Sequence, residues 1–252
     1  MLLTIYIPTF KRLDIGPCLE SIVPQIVDGV ELIVSDNDPD GFAEPFARKF
    51  PQVQYSKRLK NIDGDPNILR GVTQGKGKYV WIFGDDDTML PNTIEMLLPM
   101  LDGVGRVLHW TANSREVGAG FSGKTCDYMD TLNDKSILVA STTITSTVWR
   151  RDAMNLSLGL AKLDTRYPLM WAGLDIDTIK AMPVPTITVG YIHQDNYFSY
   201  FPLMMDEYIR AWSGAVGAKP IDFSSQANEW NFVSVSLEKS RGRYADSILQ
   251  QM

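Results

Sequence analysis

The stretch KYVWIFGDDDT (residues 78–88) joins an apolar run to three consecutive aspartates. The run YVWIF has the length and composition of a buried β-strand. The carboxylates of Asp85, Asp86 and Asp87 repel one another, so a folded chain needs a reason to keep them together. Two interpretations are open here: a solvated turn, where aspartate is common, or a site for a hard divalent cation such as Mg2+ or Mn2+.

Apolar runs of strand length alternate with helical segments in the first part of the chain. The predicted strands are LLTIYI (2–7), VELIV (30–34), VQY (53–55) and YVWIF (79–83), and the predicted helices begin near Pro17, span 42–50, lie within 65–75 and begin at Pro91. Strands that are apolar throughout and separated by helices form parallel sheets that are covered on both faces. The pattern therefore predicts an α/β fold with a mainly parallel central sheet flanked by helices.

Polar residues follow three of these strands at the point where each strand ends. They are Pro8-Thr9-Phe10, Ser35-Asp36-Asn37-Asp38 and Asp85-Asp86-Asp87. Ligands of such sheets bind at the carboxyl ends of the strands, so these clusters are expected to share one edge. Mg2+ usually takes one or two carboxylates and completes its shell with phosphate oxygens and water. The arrangement therefore favours a metal site that is shared with a diphosphate over a solvated turn.

The second half of the chain is less regular. Strands are predicted for RVLHWTA (106–112), ILVASTTIT (137–145) and TITVGYI (186–192), a helix from about Leu174, and helical segments in a tail from about residue 200. His109 lies inside the first of these strands beside Trp110, so it is expected to be a packed, hydrogen-bonded histidine.

The overall composition is that of a globular protein, with 44% hydrophobic and 21% charged residues among 252. The net charge of −6 gives no general attraction to nucleic acid or anionic lipid. No apolar run is long enough to cross a bilayer, and MLLTIYIPTFKR lacks the features of a secretory leader, so the protein is expected in the cytoplasm. Cys18 and Cys126 belong to no metal or redox spacing and are expected to be buried and reduced.

Four segments occur in a characteristic order and spacing. They are TIYIPTFKR (4–12), CLESIVPQ (18–25), ELIVSDNDPD (31–40) and KNIDGDPNILRGVTQGKGKYVWIFGDDDTMLPNTIEML (60–97). Together they resemble the family-2 glycosyltransferases of GT-A fold, which transfer sugars from nucleotide-sugar donors. The resemblance covers roughly residues 3–101, and a weaker one extends to about residue 199. It implies a single GT-A domain with a nucleotide-sugar-binding half (1–101), an acceptor-binding half (102–199) and a helical C-terminal extension (200–252).

The resemblance implies a donor pocket at the ends of the predicted strands. The residues that would line it are Pro8, Thr9, Arg12, Asp36, Asn61 and Asn67. Asp36 would accept a hydrogen bond from the nucleobase, which in this family is most often uracil.

The aspartate run matches the family's metal-binding Asp-x-Asp motif. Asp85 would face the ribose, and Asp87 would bind Mn2+ or Mg2+. The spacing to Pro91 also allows Asp86 in the metal-binding position, so both assignments stay open. His193 falls in the family's late loop near the diphosphate, where it would bind metal or phosphate, and a structural role for it is equally compatible with the sequence.

Inverting members of this family use a carboxylate as base, usually in a Glu-Asp pair at the start of a helix. In WAGLDIDTIKAM (171–182), Leu174 stands in place of the glutamate, and Asp175 is the candidate base with Asp177 as its rival. Such a base would take the proton of the acceptor hydroxyl as its oxygen attacks the anomeric carbon. An aspartate that caps a helix or interacts with its dipole is the structural alternative.

The preferred function is that of a metal-dependent glycosyltransferase that moves a sugar, especially from UDP, to a hydroxyl of a glycan or small molecule. Three alternatives stay open. Some virus-encoded glycosyltransferases act on modified bases of DNA, and the basic residues between Lys57 and Lys78 would suit that acceptor. A non-catalytic nucleotide-sugar-binding module would explain Leu174, and a sugar-nucleotide pyrophosphorylase would share the sheet and metal, although its Gly-rich loop after the first strand is absent.

Overall fold

Strands and helices alternate through the amino-terminal part of the chain, as the apolar pattern predicts. A computed structural model describes residues 1–12, 14–109, 120–124, 144–163 and 168–188. The first elements are β1 (Leu3–Thr9), α1 (Gly16–Ile22), β2 (Val30–Asp36), α2 (Glu44–Ala47), β3 (Val53–Lys57), α3 (Gly64–Gln74) and β4 (Tyr79–Ile82).

The described elements that follow are shorter. They are β5 (Thr88–Met89), α4 (Thr93–Leu97), β6 (Arg106–Leu108), β7 (Ser122–Lys124), β8 (Thr147–Arg150), α5 (Leu156–Ala161), α6 (Pro168–Ala172), β9 (Thr178–Ala181) and β10 (Ile187–Thr188). Helix α4 passes into a 3-10 turn over Leu98–Leu101, which contains Pro99, because proline lacks the N–H that an α-helix interior requires. Within the described ranges, no helix is long and apolar enough to cross a membrane.

The main sheet has the strand order β3-β2-β1-β4-β8-β6-β9-β7, and β10 pairs with β5 in a small separate ribbon. Strands β3, β2, β1 and β4 are parallel to one another. Strand β8 is antiparallel to both β4 and β6, β9 is parallel to β6, and β7 is antiparallel to β9. The predicted α/β fold with a mainly parallel central sheet is therefore confirmed.

Side chains of the strands alternate between two apolar layers. Ile5 of β1 packs with Leu19 of α1 on one face, and Tyr6 packs with Ile82 of β4 on the other face, beneath α3. Helix α3 lies close to the sheet because Gly71 has no side chain, since a Cβ at that position would be 2.4 Å from Cδ1 of Ile82. The two layers fix the strands whose carboxyl ends carry the polar clusters.

Two predicted elements differ from the structure. The helix predicted from about Leu174 is wrong, because α6 ends at Ala172 and residues 173–175 form a turn before β9. Leu174 and Ile176 are buried there and Asp175 is exposed, and β9 begins only at Thr178. The predicted strand over 137–145 is also wrong at its end, since Ile144–Ser146 is a 3-10 turn and β8 begins at Thr147.

The remaining parts of those predictions lie outside the described residues. They are the ends of the strands predicted over 106–112, 137–145 and 186–192, and the helical tail from residue 200. The division into halves at residues 101 and 199 stays a prediction, and Met1–Gly190 forms one compact unit.

Candidate active site

The polar clusters meet at the carboxyl edge of the parallel strands. The backbone N–H of Asn37, just after β2, donates to the carbonyl of Thr9 at the end of β1 (2.9 Å). Pro8 pairs in register with Ser35 on these same strands. The turn that follows β4 reaches β1 through its aspartates, so three segments distant in sequence form one surface.

Asp85 joins the ends of β1 and β4. Its carboxylate accepts a hydrogen bond from the hydroxyl of Thr9 (2.7 Å) and another from Nη2 of Arg12 (2.8 Å). The same Nη2 lies 3.3 Å from a carboxylate oxygen of Asp86. Arg12 therefore acts as the counter-ion of two neighbouring aspartates, which answers how the chain tolerates them side by side.

The three charged side chains of this group differ in exposure. The exposed fraction is 12% for Asp85 but 34% for Asp86 and 35% for Arg12. The hydrogen bond to Asp85 raises the pKa of the Arg12 guanidinium, so this side chain is a permanent positive charge. Of these three side chains, Asp86 is thus the carboxylate that a cation from solution reaches most easily, and Arg12 is accessible to an anionic ligand.

Asp87 is held differently, inside the protein. Only 4% of it is exposed, its N–H donates to the carbonyl of Gly84 (3.2 Å), and its Oδ2 accepts a hydrogen bond from the hydroxyl of Thr145. That hydroxyl also accepts from the N–H of Gly84 (2.8 Å). Thr145 was not predicted as a site residue, because it lies far along the chain and belongs to no motif.

The donor set of the aspartate turn fits a hard divalent cation. Carboxylate oxygens are the ligands that Mg2+ and Mn2+ prefer, and Asp86 and Asp87 supply them at the end of a strand. Among the residues that the structure describes, no three His, Cys, Asp or Glu side chains are grouped to hold a metal by themselves. The described residues therefore fit an ion whose coordination is completed by oxygens of a bound ligand. They do not form a metal site from protein side chains alone.

Asp36 at the end of β2 is fully buried. Its Oδ1 accepts from the N–H of Asp38 (3.0 Å), and its Oδ2 accepts from the N–H of Ala43 (2.8 Å) and the hydroxyl of Tyr55 (2.9 Å). Burial and this last hydrogen bond raise the pKa of Tyr55. The carboxylate thus holds the segment between β2 and α2 in place.

The predicted asparagines lie in different surroundings. Exposed Asn61 accepts from Nδ2 of Asn37 (2.7 Å), and it borders a shallow open depression lined by residues 60–63. Buried Asn67 instead locks α3 to the sheet, because its amide oxygen accepts from the hydroxyls of Tyr6 (3.2 Å) and Ser35 (2.9 Å). Of the two asparagines, Asn61 is thus the one that a ligand from solution can reach.

Residues 4–123 match the family model described as glycosyl transferase family 2. These residues belong to glycosyl transferase family 2. The abequosyltransferase RfbV of Salmonella typhimurium is 28% identical over 145 residues, which cover 53% of this chain and 40% of that protein. The predicted resemblance is confirmed, and both the family and the relative indicate a glycosyltransferase, although the chain spans less than half of that relative.

Solved glycosyltransferase structures share the fold. S. aureus TarS 1–349 in complex with UDP-GlcNAc has a TM-score of 0.55 at 16% identity, over 97% of this chain and 72% of that one. The mannosyltransferase PcManGT from Pyrobaculum calidifontis in complex with GDP-Man and Mn2+ has a TM-score of 0.56 at 13% identity, over 98% of this chain and 75% of that one. At such identities the likeness shows the fold alone, and the predicted GT-A fold is confirmed.

Asp175, the predicted base, lies at the opposite edge of the sheet from the aspartate turn. Strand β6 runs in the same direction as β4, because both are antiparallel to β8, and β9 is parallel to β6. Asp175 comes just before the amino end of β9, where the neighbouring Ile176 carbonyl accepts from Nη2 of Arg106 (2.7 Å). The aspartate turn follows the carboxyl end of β4.

The register gives the scale of this separation. Ile179 of β9 is level with Val80 of β4, through the pairs that Arg106 and Trp149 make across β6 and β8. From Val80 to Ile82, the end of β4, the chain advances about 7 Å at about 3.3 Å per residue, and the aspartate turn lies beyond that end. Asp175 lies beyond Ile179 in the opposite direction, so the structure does not bring it together with the aspartate turn.

The two histidines also differ. His109 is buried, its ring stacks on Trp81 (centroids 4.1 Å apart), and its Nδ1 is hydrogen-bonded to the Thr186 hydroxyl (2.8 Å), as expected of a packed histidine. Burial lowers the pKa of His109 to about 3, so it is neutral at pH 7. His193, the predicted metal or phosphate ligand, lies outside the described residues.

Proposed function

We propose that this chain transfers a glycosyl group from a nucleotide-diphosphate sugar, in particular a UDP-sugar, to an acceptor hydroxyl, with Mn2+ or Mg2+ as cofactor. The observation that carries the proposal is the group formed by Thr9, Arg12 and Asp85 beside Asp86 and Asp87, at the carboxyl edge of the sheet. The family of residues 4–123 supports the same chemistry.

In this proposal the residues of β1 and β4 bind the donor. Arg12 supplies positive charge for the diphosphate, and it is exposed enough to exchange Asp85 or Asp86 for phosphate oxygens. Asp85 faces the ribose hydroxyls and is oriented by Thr9. A charge on each side of the diphosphate would hold C1 of the sugar in one position.

Asp86 and Asp87 would hold the cation, with His193 as a further predicted ligand. A bound Mn2+ or Mg2+ supplies Lewis-acid stabilisation of the departing diphosphate. Support comes from PcManGT, whose structure contains Mn2+ with GDP-Man. Asp86 is the more accessible carboxylate and Asp87 the more rigidly held one, so both assignments that the sequence left open are kept.

The uridine preference is supported less directly. TarS binds UDP-GlcNAc, whereas PcManGT binds GDP-Man, so proteins of this fold accept different bases. The predicted contact between Asp36 and the base requires that this buried carboxylate gain access to it. The depression beside Asn61 offers a second position for the base, next to the end of β2.

The transfer itself requires a base on the acceptor side. The acceptor oxygen bonds to C1 as its proton leaves, while the C1–O bond breaks and its electron pair departs with the diphosphate. Asp175 stays the predicted base for an inverting reaction, but its place at the opposite edge argues against it. The same observation supports a second candidate function, a nucleotide-sugar-binding module without catalysis.

A titration tests the binding part of the proposal. UDP, GDP, CDP and TDP are titrated calorimetrically with and without MnCl2 into wild type, Asp86→Asn, Asp87→Asn and the control Asp28→Asn, an exposed aspartate before β2. We expect Mn2+-dependent binding of UDP that one or both site variants lose and the control retains. Metal-independent binding, or none, would overturn the metal-dependent donor site, and a tighter complex with another diphosphate would replace UDP.

Turnover separates the two candidate functions and identifies the acceptor. Release of UDP from UDP-sugars is measured alone and with glycans, small alcohols and DNA that carries hydroxylated bases. Acceptor-stimulated release establishes a transferase and names the acceptor class. Tight donor binding without any release, across all acceptors, would favour the binding module.

A further inference from the structure

The residue that fixes Asp87 comes from a distant segment of the chain. Thr145 is fully buried in the 3-10 turn Ile144–Ser146, directly before β8. Its hydroxyl donates to Oδ2 of Asp87 and accepts from the N–H of Gly84 (2.8 Å). One hydroxyl thus uses its donor and an acceptor site to join both ends of the turn that carries the aspartates.

Thr145 is itself held rigidly. Its carbonyl accepts a hydrogen bond from Nε1 of Trp81 (2.7 Å), a fully buried side chain in β4. The ring of His109 stacks on Trp81, and the N–H of His109 donates to the carbonyl of Ser146 (2.7 Å). The hydroxyl is therefore presented by packed side chains and strand backbone, which leave it little freedom to move away.

The turn leaves no spare room on the Gly84 side of the Asp87 carboxylate. A Cβ at Gly84 would lie 2.6 Å from Oδ2 of Asp87 and 3.2 Å from the hydroxyl oxygen of Thr145. The carboxylate is thus packed against backbone on one side and bonded to Thr145 on another. Without the hydroxyl, repulsion from the adjacent carboxylates would favour a different rotamer of Asp87.

We propose that Thr145 is a positioning residue for the metal-binding carboxylate of Asp87. The inference rests on the proposed metal site, and it adds a requirement that no motif of the family match contains, since Thr145 lies beyond residues 4–123. Groups that orient a ligand typically change metal affinity about 10–100-fold when they are removed. That range is the expected effect of losing the hydroxyl.

The test compares three substitutions of one side chain. Thr145→Val keeps the shape and removes the hydroxyl, Thr145→Ser keeps the hydroxyl, and Thr145→Cys replaces it with the weak S–H donor. The dissociation constant of Mn2+ is measured from the free-ion EPR signal at saturating UDP. The urea midpoint of each variant is measured alongside, because a purely structural role would lower it and leave the Mn2+ constant alone.

We expect Thr145→Val to raise the Mn2+ dissociation constant about 10–100-fold. Thr145→Ser should stay within about threefold of wild type, and Thr145→Cys should lie between Thr145→Val and Thr145→Ser. A folded Thr145→Val with wild-type Mn2+ affinity would overturn the inference. If Thr145→Val does not fold, equal affinities of the Ser and Cys variants overturn it instead.

Asp87→Asn separates this inference from the proposed function. If wild type binds Mn2+ with UDP and Asp87→Asn does not, the metal site stands and the Thr145 series decides on Thr145 alone. If wild type binds no Mn2+, the metal site fails and the inference fails with it. Loss of Mn2+ in Asp86→Asn but not in Asp87→Asn would keep the metal site and overturn the role of Thr145.

Discussion

Substituting Asp36 by asparagine separates two roles for this residue, a direct contact to the nucleobase and an internal support. The carboxylate is fully buried and accepts three hydrogen bonds, from the N–H groups of Asp38 and Ala43 and from the hydroxyl of Tyr55. The Asp36→Asn variant keeps the shape but has one oxygen in place of two. At one of the three hydrogen bonds, the amide nitrogen of the asparagine then faces another donor, so that bond is lost.

The magnitude follows from the three hydrogen bonds. If the amide oxygen stays with Ala43 and Tyr55, the N–H of Asp38 loses its acceptor, which costs about 1–3 kcal/mol. The two remaining bonds lose their charge and weaken by about 1 kcal/mol each. Removing a buried charge offsets part of this loss, so we expect the free energy of unfolding to fall by about 2–4 kcal/mol.

Urea unfolding at pH 7 measures this change, and UDP titration with MnCl2 measures binding in the same variant. Tyr55→Phe is the matched control, because it removes one of the three hydrogen bonds and leaves the carboxylate. We expect it to cost about 1–2 kcal/mol. An Asp36→Asn protein that unfolds at the wild-type urea midpoint, yet loses UDP affinity, would refute the supporting role and establish the direct contact to the base.

Three further predictions follow from the geometry. Asp175→Asn should retain donor turnover within about twofold, and a loss of about 100-fold or more, the usual contribution of a general base, would restore Asp175 to that role. Gly84→Ala should weaken Mn2+ binding at saturating UDP about tenfold or more by EPR, since its Cβ would lie 2.6 Å from Asp87 Oδ2, and wild-type affinity would contradict this. The pKa of His109 is about 3 when folded and about 6.5 when unfolded, so its contribution to stability is complete above pH 6.5 and falls by about 1.4 kcal/mol per pH unit below it, towards pH 3. The His109→Gln variant is expected to be less stable than wild type at pH 7. Between pH 7 and pH 5, its free energy of unfolding, measured with urea, should fall by about 2 kcal/mol less than that of wild type. Equal losses in the two proteins would contradict a buried neutral imidazole.

The parts of the site that lie at the ends of parallel strands were predictable from the sequence. Topology brings Thr9 and Asp85 to one edge once the alternation of strands and helices is recognised, and they are 2.7 Å apart in the structure. The internal role of Asp36 was not predictable, because its partners Ala43 and Tyr55 belong to the following loop and to β3. A strand-end aspartate looks the same in sequence whether it faces a ligand or supports a loop.

The placement of Asp175 required information that no local pattern contains. Leu174, Asp175 and Ile176 lie in a turn and the residues that lead into β9, and three residues are too few to show a helical or a strand period. Which edge of the sheet this strand begins on depends on the parallel pairing of β9 with β6, and on the insertion of β8 between β4 and β6. Those are long-range pairings, and they decide whether a carboxylate can approach the donor.

The direction of β8 explains why Thr145 reaches the aspartate turn and why Arg151 does not. An antiparallel strand among parallel ones brings its amino end to the edge where its neighbours have their carboxyl ends. Thr145, just before β8, therefore meets Gly84 and Asp87. Arg151, just after β8, lies at the opposite edge, where its N–H donates to the carbonyl of Lys78 (3.0 Å). The aspartate turn is thus completed by a residue that precedes a strand, so it cannot be found by inspecting only the residues that follow the carboxyl ends of strands.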